Sequence, residues 1–118
     1  MNIGFSTKIC PELSLEQICV LAKRVGCEYI EFQVEQNQNH GLDGTIEDSS
    51  LRNKAKNIIK QHGIKPWVIA TSIVVGDMDT IDLKDSIDRI LKWSGLAEFF
   101  QAPYLRVFPM HKGIVRPS

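Results

Sequence analysis

The chain has 118 residues, 43% of them apolar, and its 14 Lys and Arg balance its 14 Asp and Glu. That is one domain with a real core, since a chain of this size buries roughly 65% of the surface its unfolded form exposes. Charge balance removes the global positive field that draws proteins to nucleic acid or anionic membranes, no apolar run approaches the ~18–20 residues that span a bilayer, and MNIGFSTK lacks the apolar run of a signal peptide, so a soluble, cytoplasmic protein with no nucleic-acid or membrane partner is expected.

Ile3 to Ser6 is a short strand, followed by a loop with Pro11. Ser14-Leu15-Glu16-Gln17 fits a capping box, with Leu13 and Ile18 placed as a hydrophobic staple. Leu15, Ile18, Cys19, Ala22 and Val25 then follow helical spacing, and Gly26 supplies the left-handed stop. From Tyr29 to Val34 the period changes to two: Ile30, Phe32 and Val34 alternate with Glu31, Gln33 and Glu35, which predicts a strand. A polar loop, 35–44, precedes a second helix from about Asp48 to His62, with Leu51, Ala55, Ile58 and Ile59 on one side and Gly63 at its end. Lys65 to Ser72 is the third strand, with Pro66 near its start, where a missing donor is tolerable. An acidic stretch leads into a third helix through Leu83, Ile87, Ile90 and Leu91, with a kink or restart expected near Gly95. Tyr104 to Phe108 is the fourth strand, closed by Pro109.

Cys10, Cys19 and Cys27 are an odd count at wide spacings, matching neither a disulfide framework nor the paired cysteines of a zinc site. Cys19 falls on the apolar side of the first helix, where a buried thiol is ordinary. No glycine-rich phosphate fingerprint and no calcium-loop spacing is present.

The element order is β-α-β-α-β-α-β, which builds a parallel α/β sheet through right-handed crossovers. An open doubly wound sheet and part of a (β/α)8 barrel are both compatible with it. A response-regulator-like open sheet lacks its acidic pair, since Ser6-Thr7-Lys8 stands after the first strand.

Three blocks of text carry a resemblance. Ile3-Gly4-Phe5-Ser6-Thr7 leads through Leu13-Ser14-Leu15-Glu16-Gln17 and Ala22-Lys23-Arg24-Val25-Gly26 to Tyr29-Ile30-Glu31-Phe32. Leu51 to Ile64, and Leu105-Arg106-Val107-Phe108-Pro109, continue it. Over about residues 2–109 the chain resembles the sugar phosphate isomerase/epimerase family, the xylose isomerase-like TIM barrels. The resemblance implies half of a (β/α)8 barrel over residues 1–109, with an irregular tail over 110–118. A complete barrel needs about 250 residues. The family binds a divalent metal such as Mn, Mg, Co or Zn, and moves a proton beside a sugar carbonyl, with residues of strands five to eight. None of those strands is in this chain, so the resemblance implies no metal ligand and no cofactor here, leaves the catalytic residues unknown, and implies a chain inactive by itself. The alternative is a non-catalytic half-barrel that serves as a binding or oligomerisation module.

In a barrel the polar face of the second strand points inward, with Glu35 nearest the C-terminal mouth where active sites form. Glu31, Gln33 and Glu35 are therefore candidate contacts for the hydroxyls of a sugar or sugar phosphate, beside the alternative of a structural polar layer. Ser72, at the end of the third strand, and His111, just after the fourth, join them at the same mouth. A related endonuclease of abasic DNA uses a zinc-binding His near this position, but also one after strand three, where this chain has Thr71-Ser72-Ile73-Val74. His62 reads as a surface residue at a helix end. Strands two and four feed the same interior layers, so Glu31 and Arg106 are expected to form an ion pair. Two unpaired sheet edges and an apolar concave face, drawn from Phe5, Trp67 or Ile69, and Phe108, predict self-association as a homodimer.

Overall fold

The structure, a computed structural model, describes residues 3–75 and 80–109. The order is β1 (Gly4–Ser6), α1 (Leu15–Val25), β2 (Tyr29–Gln33), α2 (Ser49–Gln61), β3 (Lys65–Val74), α3 (Thr80–Phe99) and β4 (Tyr104–Phe108), with 3-10 turns at Thr7–Ile9 and Leu42–Thr45. His111 and the expected tail, 110–118, lie outside the described residues.

The helices start and stop where their end chemistry directs. The Ser14 hydroxyl accepts from Gln17 N at 3.2 Å and the Gln17 side chain accepts from Ser14 N at 2.9 Å, a complete capping box. Gly26 closes α1 at φ +79°, a conformation that favours glycine. Asp48 caps α2 by accepting from Leu51 N at 3.0 Å. The third helix runs uninterrupted through Gly95, where a kink or restart was expected.

All four strands are parallel in the order β1-β2-β3-β4, as successive right-handed β-α-β units require. The helices cover one face of this sheet. Ile30 and Phe32 of β2, Val34 just after it, and Ile69 and Ile73 of β3 are fully buried in that layer, against Ile18, Cys19, Ala22, Ile59, Trp93 and Leu96. Phe5 and Ile69 both belong to this side. The concave alternative therefore falls to Trp67 and Phe108, which stand on the other face.

Three apolar assignments are corrected by the packing. Val25 and Leu51 are exposed, at the ends of their helices' buried stripes. In α3 the buried face is Ser86, Trp93, Leu96 and Ala97, whereas Leu83, Ile87 and Leu91 face solvent. Apolar residues occupy more than one side of this helix, so periodicity alone does not select the side that meets the sheet.

The face opposite the helices is open. At its lower end Tyr29, Trp67 and Tyr104 form an edge-to-face row, with centroids 4.9 and 5.6 Å apart. Above it, Glu31 is in register with Val68, and Gln33 with Ala70 and Arg106. The Glu31–Arg106 ion pair expected from the sequence does not form. Arg106 donates to the Thr71 carbonyl at 2.9 Å and lies over the Phe108 ring at 4.7 Å, while Glu31 accepts from the Gln33 amide at 3.1 Å. One strand, β3, lies between the residues, which puts them two strand spacings or roughly 9–10 Å apart across the sheet, and the guanidinium uses its reach on its immediate neighbour.

The first strand lies close against the second. A Cβ at Gly4 would stand 2.6 Å from the Tyr29 carbonyl oxygen, a backbone atom that cannot step aside. Gly4→Ala is expected to destabilise the fold by about 1–3 kcal/mol, as overpacking does, read as a lower urea midpoint with an unchanged slope.

Candidate functional site

The C-terminal ends of parallel strands are where barrel chemistry is built, and the polar residues of this chain converge there. After Gln33 and Val34 the backbone turns into the left-handed region at Glu35, φ +66°, which non-glycine residues adopt at a cost of roughly 1–2 kcal/mol. The turn is held at both sides. Val34 N donates to the Ala70 carbonyl at 2.9 Å, and Glu35 N donates to Asp43 Oδ2 at 2.7 Å.

This backbone turn breaks the alternation that carries Glu31 and Gln33. Instead of continuing up the open face, the Glu35 side chain joins groups supplied by α3. Its carboxylate accepts from Arg89 Nε at 2.9 Å and Arg89 Nη2 at 2.7 Å, a two-pronged clamp, and from the Trp93 indole at 3.0 Å. It also accepts from the Ser72 hydroxyl at 2.9 Å and from Ser72 N at 3.1 Å. The last bond uses the N–H that the next rung of the β2–β3 ladder would engage, so the carboxylate replaces a strand carbonyl where β2 leaves the sheet. Glu35 keeps 15% of its side-chain exposure and Arg89 31%.

Burial pushes the Glu35 carboxyl up, but the hydrogen bonds from Arg89, Trp93 and Ser72 together outweigh it and hold it at about 2, against an ordinary 4.5. The partner charge is reinforced in turn. Arg89 is raised above its usual range by the bond to Glu35, against the opposing effect of its own burial. A fully ionised, five-bonded carboxylate is neither a proton shuttle nor a free sugar contact. Glu35 and Ser72 are brought together, but as one structural unit rather than as the substrate contacts expected from the sequence.

The loop after β2 is tied down by His40, which is buried. Leu42 N donates to His40 Nδ1 at 3.0 Å, so Nε2 carries the proton and donates to the Gln33 carbonyl at 2.7 Å. The ring also meets Phe32 edge-on at 5.5 Å. Burial lowers the His40 pKa, partly offset by the Gln33 carbonyl and by Asp43. His62, by contrast, caps the end of α2 through Ile58 O at 2.8 Å.

Glu31 and Gln33 remain on the open face. The Gln33 amide bridges Glu31 Oε2 at 3.1 Å and the Ser6 hydroxyl at 3.5 Å, and its backbone N–H donates to the Thr7 hydroxyl at 2.9 Å. Arg106 shares this face, and its Nε is shielded from water without an acceptor among the described residues. Ser6, Glu31 and Arg106 are half-buried on this face, and Gln33 between them is buried. A groove of about 530 Å³ lies instead at the other end of the strands, lined by Lys60, Lys65, Trp67 and Gln101.

The divalent metal that the family resemblance implies finds no fit here. Among the described residues no three His, Cys, Asp or Glu side chains gather to hold a cation. Glu35 is spent on Arg89, and Asp43 Oδ2 on the backbone. Burial first, and a nearby acid second, raise the thiols of Cys10 and Cys19, the latter to about 11, which makes both poor metal ligands. Sequence reasoning missed Arg89 and Trp93. Their signal was a guanidinium and an indole N–H four residues apart on one helical face, a pair of donors that needs a buried acceptor.

Two predictions follow from the charge states. A carboxyl whose pKa is depressed by folding adds stability above its unfolded value of about 4.5, and that stability is lost as pH falls toward 2. The full shift is worth about 3 kcal/mol. Glu35→Gln is expected to remove this acid dependence and to lower neutral-pH stability by about 3–5 kcal/mol, because Arg89 loses its partner; urea melts between pH 2.5 and 7 read both effects. His40, also depressed on folding, stabilises above its unfolded value of about 6.5 and less so below it. His40→Gln is expected to flatten the stability profile between pH 6.5 and 5, measured the same way.

No family model matches the chain, and no curated protein matches it significantly. Solved structures do. The chain aligns over 98% of its length with the IolI protein, whose structure holds a zinc atom, at a TM-score of 0.75 and 19% identity, covering 41% of that protein. It aligns over 99% with a xylose isomerase domain-containing protein of Salmonella typhimurium LT2, at a TM-score of 0.68 and 20% identity, covering 42% of it. It aligns over 92% with the probable 3-DHS dehydratase AsbF of Bacillus anthracis, involved in petrobactin synthesis, at a TM-score of 0.68 and 18% identity, covering 38% of it. The likeness shows the fold, parallel strands and helices of a TIM barrel, and this chain spans about two fifths of the length of the proteins it matches.

Proposed function

We propose that the chain is the first half of a sugar, or sugar phosphate, isomerase/epimerase barrel, contributing one wall of the sugar pocket but not the reacting groups. The observation that supports this most is that nearly the whole chain aligns with xylose isomerase-like barrels while reaching only about two fifths of their length. In this reading Glu31 and Gln33 meet substrate hydroxyls from the wall of β2, and Ser6 and Arg106 flank them. The carboxylate of Glu31 accepts, the amide of Gln33 does either, and Arg106 suits an oxyanion or a phosphate. The metal and the groups that move the proton beside the carbonyl belong to the missing strands. A cytoplasmic location and a divalent metal in the whole barrel are parts of the same proposal.

A non-catalytic half-barrel module is the second reading. It is favoured by Glu35 and Ser72, whose polar atoms serve the fold rather than the mouth.

The 118-residue chain by itself is expected to show no isomerase or epimerase turnover on a panel of ketoses and ketose phosphates with Mn²⁺ or Mg²⁺. Metal-dependent turnover that scales with the amount of this protein overturns that expectation. Weak sugar-dependent shifts of the Glu31 and Gln33 resonances, lost in Gln33→Leu, separate the pocket-wall reading from the module reading.

A further inference from the structure

We propose that the open face of this half-barrel is closed by a second copy of the chain, with Glu31 of each copy paired to Arg106 of the other across two equivalent strand junctions. The inference rests on the four-stranded fold and stands whether or not the barrel handles sugars.

The sheet ends in β1 on one side and β4 on the other, both parallel and both edges. A two-fold axis along the barrel sets β4 of each copy beside β1 of the other. One junction made twice gives eight parallel strands and leaves no edge, the closed symmetry most homodimers use. The face enclosed carries Trp67, 42% exposed, and Tyr104, 57% exposed, which closure removes from water.

Charge supports this occupant. Shear of one residue per strand puts the same height two residues further along a strand two places on. Glu31 is in register with Val68, and Val68 with Tyr104, so the residue of β4 level with Glu31 is Arg106. Interior layers draw on alternate strands, so the closed layer is Glu31, Arg106 and the same two residues of the second copy, alternating in sign around the axis. Among the described residues of the single chain neither has an ionic partner. Glu31 takes an amide, Arg106 takes a carbonyl, and Arg106 Nε is shielded without an acceptor. Closure excludes water from the layer and supplies each guanidinium with a carboxylate on both sides.

A second apolar surface defines the rival arrangement. On α3, Phe99 faces α2 and is covered by Arg52 and Lys56, while Leu83, Ile87 and Leu91 occupy the opposite flank and are exposed. A dimer through these helices would leave the sheet face untouched.

Sedimentation at micromolar concentration is expected to give twice the 13.3 kDa chain mass. Glu31→Arg and Arg106→Glu, each shown to be folded by circular dichroism, are each expected to be monomeric, because every contact between copies then joins like charges. Their equimolar mixture is expected to form a heterodimer, because every contact between copies again joins opposite charges. Monomeric wild type overturns the proposal. So do charge variants that dimerise like wild type, a mixture that stays monomeric, or dissociation caused by Ile87→Lys and not by the charge variants. Should either reversal fail to fold, hydrogen exchange on the wild-type chain decides. Amides of β1 and β4 that gain protection with concentration support the proposal, and protection gained in α3 alone overturns it.

Discussion

The half-buried carboxylate of Glu35 is the constraint on which the upper half of the molecule depends. One side chain joins three elements that are distant in sequence: it ends β2, replaces a ladder acceptor for β3, and receives Arg89 and Trp93 from α3. Five hydrogen bonds to one ionised group offset the cost of taking it out of water, and the bidentate arginine fixes the direction of α3 as well as its distance. The left-handed backbone at Glu35 makes this possible, because an extended residue there would carry the carboxylate to the other face. Asp43 and His40 then hold the strained turn from the loop side, through Glu35 N and the Gln33 carbonyl.

The two faces of the sheet obey different rules. The helix-facing side is a continuous apolar layer in which Ile30, Phe32, Ile69 and Ile73 are fully buried. The other side divides along the strands, aromatic at the N-terminal end and polar toward the C-terminal end. That division suits a barrel interior, where the lower layers fill space and the upper ones meet ligand. Four strands are enough to bury the outer layer against three helices. They are not enough to enclose the inner face.

Fold and chemistry therefore separate in this chain. The helix layer, the helix caps and the Glu35 cluster hold this half-barrel together. The described residues bring together no group of three side chains that could hold a metal ion. Ser6, Glu31, Gln33 and Arg106 share the polar end of the open face.

Much of the architecture was legible in local chemistry. Ser14 and Gln17 announced α1, Gly26 and Asp48 marked helix ends, and the alternation of Ile30, Phe32 and Val34 assigned both β2 and its buried face. Each of these signals is short-ranged, involving neighbours within four residues, so the sequence by itself determined the elements, their parallel order and the polar face of β2. The rest depended on contacts across the chain. Alternation placed Glu35 beside Gln33, and only the left-handed turn, held by Asp43, sent it to Arg89 fifty-four residues away. Periodicity offered α3 more than one apolar side, and the choice of Trp93 over Leu91 was made by the sheet and by the Glu35 carboxylate. Layer arithmetic put Glu31 level with Arg106, yet whether they touch was decided by what lay nearer: the Thr71 carbonyl for one and the Gln33 amide for the other. Hydrogen bonds fall off within an ångström, so a partner's identity is set by the final packing and not by the pattern that brings the candidates to the same face.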